Sequence, residues 1–225
     1  MAAKIDKREL EEPDKLQEYF LKIRAYVENH RRQIYAAAGC LALLMVLVGG
    51  WYVYHLSYEN SAERLYVRVL EVAMKAGSPA GDEAALKGYR DLIGQYPHSR
   101  AAVFAYYRLG NLYLGRGEID TAVTAYQDFL KRASSESDLL PLAYGGIGSC
   151  YEIKKDFKKA IEYYDKAVKS DTGLMFEALN YGGMARAYEA MNERAKAVEY
   201  YQKALGKTTD PLMTLYLKRK ISLLG

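Results

Sequence analysis

The side chains that most often carry chemistry are few and scattered in this sequence. The three histidines, His30, His55 and His98, are isolated from one another, and the only cysteines are Cys40 and Cys150. Metal ligation and acid–base catalysis need such groups in clusters, so the spacing suggests neither a metal site nor a histidine acid–base pair. No grouping of nucleophile, base and acid is evident, and we predict a protein that is not an enzyme and uses no metal or cofactor.

A glycine-rich run, Gly145-Gly146-Ile147-Gly148, resembles a phosphate-binding loop when it is read alone. It lies in the middle of a predicted helix, and Gly182-Gly183 recurs at the same place one repeat later, so the indication of nucleotide binding is weak. The charge balance, 32 basic against 28 acidic side chains, is too even for a nucleic-acid-binding domain. We therefore expect neither a small-molecule substrate nor a nucleic acid as partner.

Nine tyrosines lie on one lattice that repeats after 38 and then 37 residues. They form three triplets with internal gaps of 7 and 13 residues: Tyr106, Tyr113 and Tyr126; Tyr144, Tyr151 and Tyr164; Tyr181, Tyr188 and Tyr201. A fixed period of this size is typical of a repeat array. In each unit the first two tyrosines and the apolar residue between them share one helix face, which we predict to be buried. Because buried hydroxyls need partners, we expect these rings near seams between units that solvent reaches.

Each unit also predicts two helices separated by a short break. A small residue, Gly110, Gly148 or Ala185, follows the apolar position and would let a second helix approach closely. Breaks at residues 115–118, 154–156 and 191–193 then precede a second helix with alanine and tyrosine four residues apart.

This order of apolar, small and aromatic residues, followed by alanine, aromatic and alanine, resembles the tetratricopeptide repeat. The predicted fold is all-α: a single N-terminal transmembrane helix, then a solenoid of helix-turn-helix units with a C-terminal capping helix. The units are a degenerate one at 66–99, full ones at 103–136, 141–174 and 178–211, and the cap at 212–224. In the cap we place Leu212, Leu215, Tyr216 and Ile221 on one apolar face and residues 218–220 elsewhere.

The transmembrane helix is predicted at residues 34–55. The first 21 of these residues, 34–54, carry no charge and would form roughly 30 Å of helix, enough to cross a bilayer. Five basic residues lie in the 20 positions before residue 34 and two in the 20 positions from His55 on, which places the N-terminus in the cytoplasm. In a bacterium, residues 56–225 would then lie in the periplasm. A cleaved signal peptide is the alternative, but residues 1–33 are long and acidic for one.

Residues 1–33 are predicted to form a cytoplasmic segment. Apolar residues from Leu16 to Val27 recur at helical spacing, with basic residues available for anionic lipid headgroups. An amphipathic helix on the membrane surface and a solvated stalk that continues the span remain equal alternatives. Residues 1–12 have the mixed charge of a flexible tail.

In the tetratricopeptide arrangement, the residue after the first tyrosine of each unit points into a concave groove. The resemblance implies a partner-binding groove lined by Tyr107, Asn111, Gly145, Ser149, Glu152, Gly182, Arg186 and Glu189. We hypothesise that Gly145 and Gly182 open this groove to a peptide or partner helix, since each glycine costs a helix about 1 kcal/mol relative to alanine. The alternative is looser packing without a ligand.

The order of parts resembles the YfgM family, with one span followed by periplasmic repeats. The likeness is closest at residues 26–30, at Gly50-Trp51-Tyr52 and at residues 218–221, while Tyr96-Pro97-His98-Ser99 is more similar to the YbgF and BamD type. The YfgM resemblance implies an inner-membrane scaffold ancillary to the Sec translocon and periplasmic chaperones. The alternatives are a cell-envelope or cell-division scaffold for outer-membrane or peptidoglycan-associated proteins, and an enzyme accessory or self-assembling array.

Overall fold

The structure is a computed structural model that describes residues 15–76, 79–170 and 176–225. The tail predicted at residues 1–12 lies outside the described residues. Those that are described form α-helices joined by short turns, as predicted. The helices are α1 (Lys15–Ala76), α2 (Pro79–Gln95), α3 (Arg100–Gly115), α4 (Ile119–Arg132), α5 (Leu140–Ile153), α6 (Phe157–Ser170), α7 (Glu177–Ala190), α8 (Arg194–Leu205) and α9 (Pro211–Leu224).

The chain divides into two compact units, residues 1–56 and residues 57–225. In the first unit, α1 departs from helical geometry at His30, where φ is −112° and ψ is 16°. The kink separates the predicted cytoplasmic helix from the apolar stretch. By length and composition, α1 is apolar enough to cross a membrane, and the side chains of its most apolar window are exposed rather than packed in a core.

The second unit stacks helix pairs along one direction. The pairs α3–α4, α5–α6 and α7–α8 correspond to the three full repeats, and each pair packs against the next. The C-terminal part of α1 and all of α2 lie at the position predicted for the degenerate unit. At the other end, α9 packs on α8. The all-α solenoid is therefore confirmed.

The three breaks inside the repeats adopt the same turn. Gly117, Lys155 and Asn192 have positive φ angles of 77°, 60° and 62°. In each turn the amide that follows donates to the carbonyl of the second tyrosine of the triplet, five residues back, over 2.9–3.0 Å. This is the Schellman arrangement, which ends a helix by satisfying its last carbonyl groups.

The buried core contains only part of the tyrosine lattice. Tyr126, Tyr164 and Tyr201, the third members of the triplets, are at most 2% exposed, and the alanines four residues before them are completely buried. Tyr113 is also buried, whereas the first tyrosines of the triplets, and the second tyrosines Tyr151 and Tyr188, are only partly buried. The prediction of a fully buried first-helix stripe was thus too strong, because phenol rings can cover a core edge while their hydroxyls meet water.

The predicted face of α9 was wrong in part: Ile221 packs against the core, but Leu212 and Leu215 do not. Leu217 is its buried residue, whereas Leu212 is 79% and Leu215 is 68% exposed. The reason is Lys220, whose ammonium group lies 2.7 Å from the carboxylate of Glu189 on α7. A lysine in a helix usually marks the solvent side, but the stem of Lys220 lies on the packed face of α9.

Candidate protein-binding groove

The third tyrosine of each unit ties the second helix to the first through its hydroxyl group. Tyr126 donates to Oδ1 of Asn111 over 2.6 Å. In the next two units the acceptors are carboxylates at predicted groove positions: Tyr164 donates to Glu152 over 2.7 Å, and Tyr201 donates to Glu189 over 2.6 Å. The expectation that these rings lie near seams reached by solvent is met in part: the rings are buried and their acceptors lie within each unit, but the acceptor side chains are exposed or only partly buried.

The same carboxylates bind cations from the following unit. Arg186 on α7 donates to both oxygens of Glu152 on α5, over 2.8 and 3.0 Å. Lys220 on α9 donates to both oxygens of Glu189, over 2.7 and 3.0 Å. Two series of hydrogen bonds, each from a tyrosine to a glutamate and from a cation to the same glutamate, therefore connect successive units.

The hydrogen bonds of these pairs favour the charged forms of Arg186 and Glu189. Burial opposes the charge on Arg186, but its bonds to Glu152 leave the guanidinium pKa above the ordinary value. Burial also opposes ionisation of Glu189, yet hydrogen bonds from Lys220 and Tyr201 hold its pKa below the ordinary value. These groove residues already have partners within the protein, so a ligand would have to compete for them.

The glycine-rich run is explained by tyrosine packing rather than by phosphate binding. An added Cβ would lie 2.6 Å from Cζ of Tyr126 at Gly146, and 2.5 Å from Cζ of Tyr164 at Gly183. A glycine of the same unit approaches each ring as closely: Gly110 lies against Tyr126, and Gly148 lies against Tyr164. Each ring thus lies between two glycines, one from each of two successive first helices.

The hypothesis that Gly145 opens the groove was wrong. Gly145 is buried, and a Cβ there would lie 2.6 Å from Oδ1 of Asn180 on α7. Its missing side chain makes room for the next unit rather than for a ligand. Gly182 is also buried, but it has more space: the nearest atoms, on Met213 and Arg186, would lie 3.8 and 3.9 Å from a Cβ. Its role in partner binding stays a prediction.

The other predicted groove residues lie on the first helices α3 and α5. Tyr107 is partly buried, and its ring centroid lies 6.0 Å from that of Tyr126 and 5.7 Å from that of Phe129. The hydroxyl of Ser149 lies 3.1 Å from that of Tyr164. Asn111 is exposed apart from its bond to Tyr126. All three face neighbours on the second helix of their own unit.

A cleft that the sequence analysis missed lies beside these residues. Its volume is about 820 Å³, and it lies between the end of α1, α3 and the loop that follows α4. The apolar part of its lining is Tyr66, Val103, Phe104, Ala133 and Leu139, and its charged residues include Arg100, Arg132, Glu136 and Asp138. Arg108 donates to the hydroxyl of Tyr66 over 3.2 Å and fixes one wall.

A weak signal for this cleft was present in the sequence. Phe104 stands two residues before the first tyrosine of its unit, and Leu142 and Leu179 stand at the same place in α5 and α7. Phe104 is 39% and Leu179 is 53% exposed, so the row is not part of the core. These three positions lie outside the tyrosine lattice. Within the residues that the structure describes, no cluster of His, Cys, Asp and Glu side chains could hold a metal ion.

Comparisons with known proteins agree with this architecture. Residues 107–174 and 181–212 match sequence profiles described as tetratricopeptide repeat. No curated protein sequence matches the chain.

Several solved structures share the fold. One crystal structure of MamA is 21% identical over 64% of this chain and 77% of its own, with a TM-score of 0.54. A second MamA structure is 19% identical over 72% of this chain and 81% of its own, with a TM-score of 0.56. A chain of the APC/C hetero-tetramer Cut9–Hcn1 is 15% identical over 69% of this chain and 30% of its own, with a TM-score of 0.56. At these identities the likeness concerns the fold.

Proposed function

The helix pairs of this chain are tetratricopeptide repeats, and we propose that they form a membrane-anchored scaffold that binds other proteins. Stacked helical repeats leave extended concave surfaces that suit such binding. The observation that carries the proposal is the cleft at Tyr66 and Phe104, which is an open apolar site beside a groove whose central polar residues are already paired.

The chemistry of the cleft favours a protein segment with a large apolar side chain. A volume of about 820 Å³ is within the usual range of ligand pockets, and covering an apolar side chain as large as Phe104 is worth about 1.5–3 kcal/mol. Arg132 stacks 4.6 Å from the ring centroid of Tyr106 and bonds to Asp128, so it is held in place. The charged lining residues Arg100, Arg132, Glu136 and Asp138 would orient a polar segment that flanks the apolar anchor.

The location that we propose is the bacterial inner membrane, with a cytoplasmic N-terminus and periplasmic repeats. The uncharged stretch at residues 34–54 and the excess of basic residues before it support this orientation. Alkaline phosphatase fused after Gly225 should be active, and a fusion after Arg32 should be inactive. The reverse result would overturn the orientation.

We further propose that the partners are translocon subunits, periplasmic chaperones or newly exported proteins. This rests on the resemblance to the YfgM family at the span and at residues 218–221. In this role the span would lie beside the translocon while the repeats hold a chaperone or an exported chain.

A photo-crosslinking amino acid at Phe104, in the full chain in bacterial membranes, tests binding and partner together. We expect crosslinks to translocon or chaperone proteins, identified by mass spectrometry. The matched control is the exposed position Gln202 on α8, which should give far fewer crosslinks. Outer-membrane or peptidoglycan-associated proteins at position 104 would favour the envelope scaffold instead. A Phe104 position that captures no more protein than Gln202 would overturn the assignment of the cleft.

A further inference from the structure

The part of α1 that precedes the kink at His30 has an exposed apolar face. Five large side chains share it, and they are between 43% and 69% exposed. At 3.6 residues per turn, they fall within roughly 120° of the helix surface. These residues, which we call the pre-span face, are Tyr19, Phe20, Ile23, Tyr26 and Val27.

Charged side chains are ordered around this face. Lys22 and Arg24 lie on its two opposite borders, each roughly 100° from its centre, and Glu18 and Glu28 lie further round the helix. Each cation pairs with the glutamate on its own side, over 2.8 Å for Lys22 and 3.1 Å for Arg24. Both members of each pair are more than half exposed, so these pairs hold the cations weakly and leave them able to bind another anion.

The kink at His30 allows this helix to leave the direction of the apolar stretch that follows. Nδ1 of His30 lies 3.0 Å from the carbonyl oxygen of Tyr26, which the amide of residue 30 would bind in a regular helix. The two rings also stack, with their centroids 4.4 Å apart. A side chain that enters the backbone hydrogen-bond ladder is a known cause of kinks. Residues before His30 therefore need not continue the span as a straight stalk.

We propose that residues 17–29 lie along the cytoplasmic surface of the membrane. The pre-span face lies between the lipid headgroups, and Lys22 and Arg24 bind the headgroups of anionic phospholipids. This inference rests on the membrane location proposed for α1. An apolar centre with basic borders and an acidic far side suits a helix in the plane of an interface. A solvated stalk would instead leave all five large apolar side chains in water.

The neighbouring span favours lipid as the occupant of the pre-span face. Val27 stands seven residues before Ile34, where the uncharged stretch begins, which is about 10 Å along a helix. The face therefore lies beside the headgroup region of the bilayer that the span crosses. Residues 15–32 contain five basic and two acidic side chains, and each basic one near an anionic surface strengthens binding about fivefold. A soluble protein would have to displace lipid from this position.

Spin labels on the full chain in proteoliposomes test the placement. Ile23→Cys and Leu21→Cys, each in a Cys40→Ser/Cys150→Ala background, are labelled in vesicles of phosphatidylglycerol and phosphatidylcholine. Ile23 lies on the pre-span face and Leu21 roughly 160° away, although their exposures of 59% and 66% are similar.

We expect the label at position 23 to be reached mainly by oxygen, which concentrates in lipid, and the label at position 21 by a water-soluble nickel complex. Equal access of the nickel complex to both positions would overturn the proposal. Spin–spin coupling between two copies at position 23, or protection from both reagents there, would also overturn it, because a protein rather than lipid would then cover the face.

A third label, Leu44→Cys, separates this inference from the membrane location on which it rests. Leu44 lies in the middle of the uncharged stretch at residues 34–54. Access of oxygen at position 44 but not at position 23 would overturn the surface helix alone. Access of the nickel complex at position 44 would overturn the membrane location itself.

Paired charge variants test the contact with headgroups. Lys22→Gln/Arg24→Gln should lower the ratio of lipid-contacting to water-exposed label at Ile23→Cys by about tenfold or more, because two cations are lost. The matched control, Glu18→Gln/Glu28→Gln, breaks the same two ion pairs but keeps the cations, so the ratio should stay the same or rise. Equal effects of the two variants, or an unchanged ratio in vesicles of phosphatidylcholine alone, would overturn the role of anionic headgroups.

Discussion

The ring of Tyr126 fills the space that a side chain at Gly146 would need. A Cβ on Gly146 would lie 2.6 Å from Cζ of Tyr126, closer than such contacts allow. The ring belongs to one repeat and the glycine to the next, so their contact fixes how the two units stack. The pair of Tyr164 and Gly183 repeats the relationship one unit later.

We predict that Gly146→Ala and Gly183→Ala each destabilise the protein by about 1–3 kcal/mol. Overpacking against a buried ring outweighs the gain of about 1 kcal/mol in helix propensity. The melting temperature, followed by circular dichroism, should fall by about 2–4 °C for each kcal/mol. The control is Gly94→Ala, because nothing lies within 4 Å of a Cβ there. It should leave the melting temperature unchanged or slightly raised, and a similar loss in all three variants would disprove the packing argument.

Tyr89 and Tyr201 should respond in opposite ways to the loss of their hydroxyl groups. The hydroxyl of Tyr89 is buried and has no hydrogen-bond partner in the described part of the chain. Mainly because of this burial, the pKa of Tyr89 is raised to about 12. Met74 stands 15 residues before Tyr89, where Asn111 stands before Tyr126. The degenerate unit therefore lacks the acceptor that the first full unit supplies.

Tyr89→Phe should be neutral or stabilising by up to about 1 kcal/mol, since it removes an unsatisfied polar group. Tyr201→Phe should cost about 1.5–3 kcal/mol, because it removes a hydrogen bond to a charged carboxylate. Thermal or denaturant unfolding of the two variants beside the wild type provides the measurement. Equal destabilisation by both changes would show that the acceptors on the first helices matter little.

The ion pair of Glu189 should make stability fall in acid. The pKa of Glu189 lies below its ordinary value of 4.5 in the folded protein, so the folded state releases the proton more readily than the unfolded chain does. The resulting stabilisation is present above about pH 4.5 and is lost as the pH falls through the folded pKa. As the pH falls below 5, the free energy of unfolding should therefore decrease less for Glu189→Gln than for the wild type. Parallel pH profiles for the two proteins would refute the assignment.

Cys150 should react with thiol reagents only after unfolding. It is fully buried, and burial, more than the opposing charge of Lys154, raises its thiol pKa to about 11. In a Cys40→Ser background at pH 8, maleimide labelling should be slow in the native protein and fast in denaturant. Labelling at the same rate in both conditions would mean that α5 opens readily.

The repeat architecture could be predicted because the same spacing is imposed on every unit. Tyr126, Tyr164 and Tyr201 must each fit beside an alanine four residues earlier, so the core leaves a visible period in the sequence. The breaks could be predicted for a related reason, since Gly117 and Asn192 tolerate the left-handed conformation that the turns require.

The groove could be placed only in part. Sequence position put Glu152, Arg186 and Glu189 on first helices. It could not show that Arg186 binds Glu152 across units, or that the two glutamates accept from buried tyrosines. The cleft at Tyr66 and Phe104 was missed because its walls come from segments distant in sequence. Such contacts depend on how successive units rotate against each other, which no local spacing encodes.

The sequence by itself determined the all-α fold, the repeat period, the short breaks and the apolar helix, because each of these follows from residue types at regular local intervals. The tertiary structure alone decided which side of α9 is covered and which residue fills the space at Gly145. Leu217 is buried and Leu212 is exposed, and the space beside Gly145 is filled by Asn180 rather than open to a ligand. The physical reason is that burial depends on the volume and charge of neighbours from other units, such as the carboxylate of Glu189 that draws Lys220 inward.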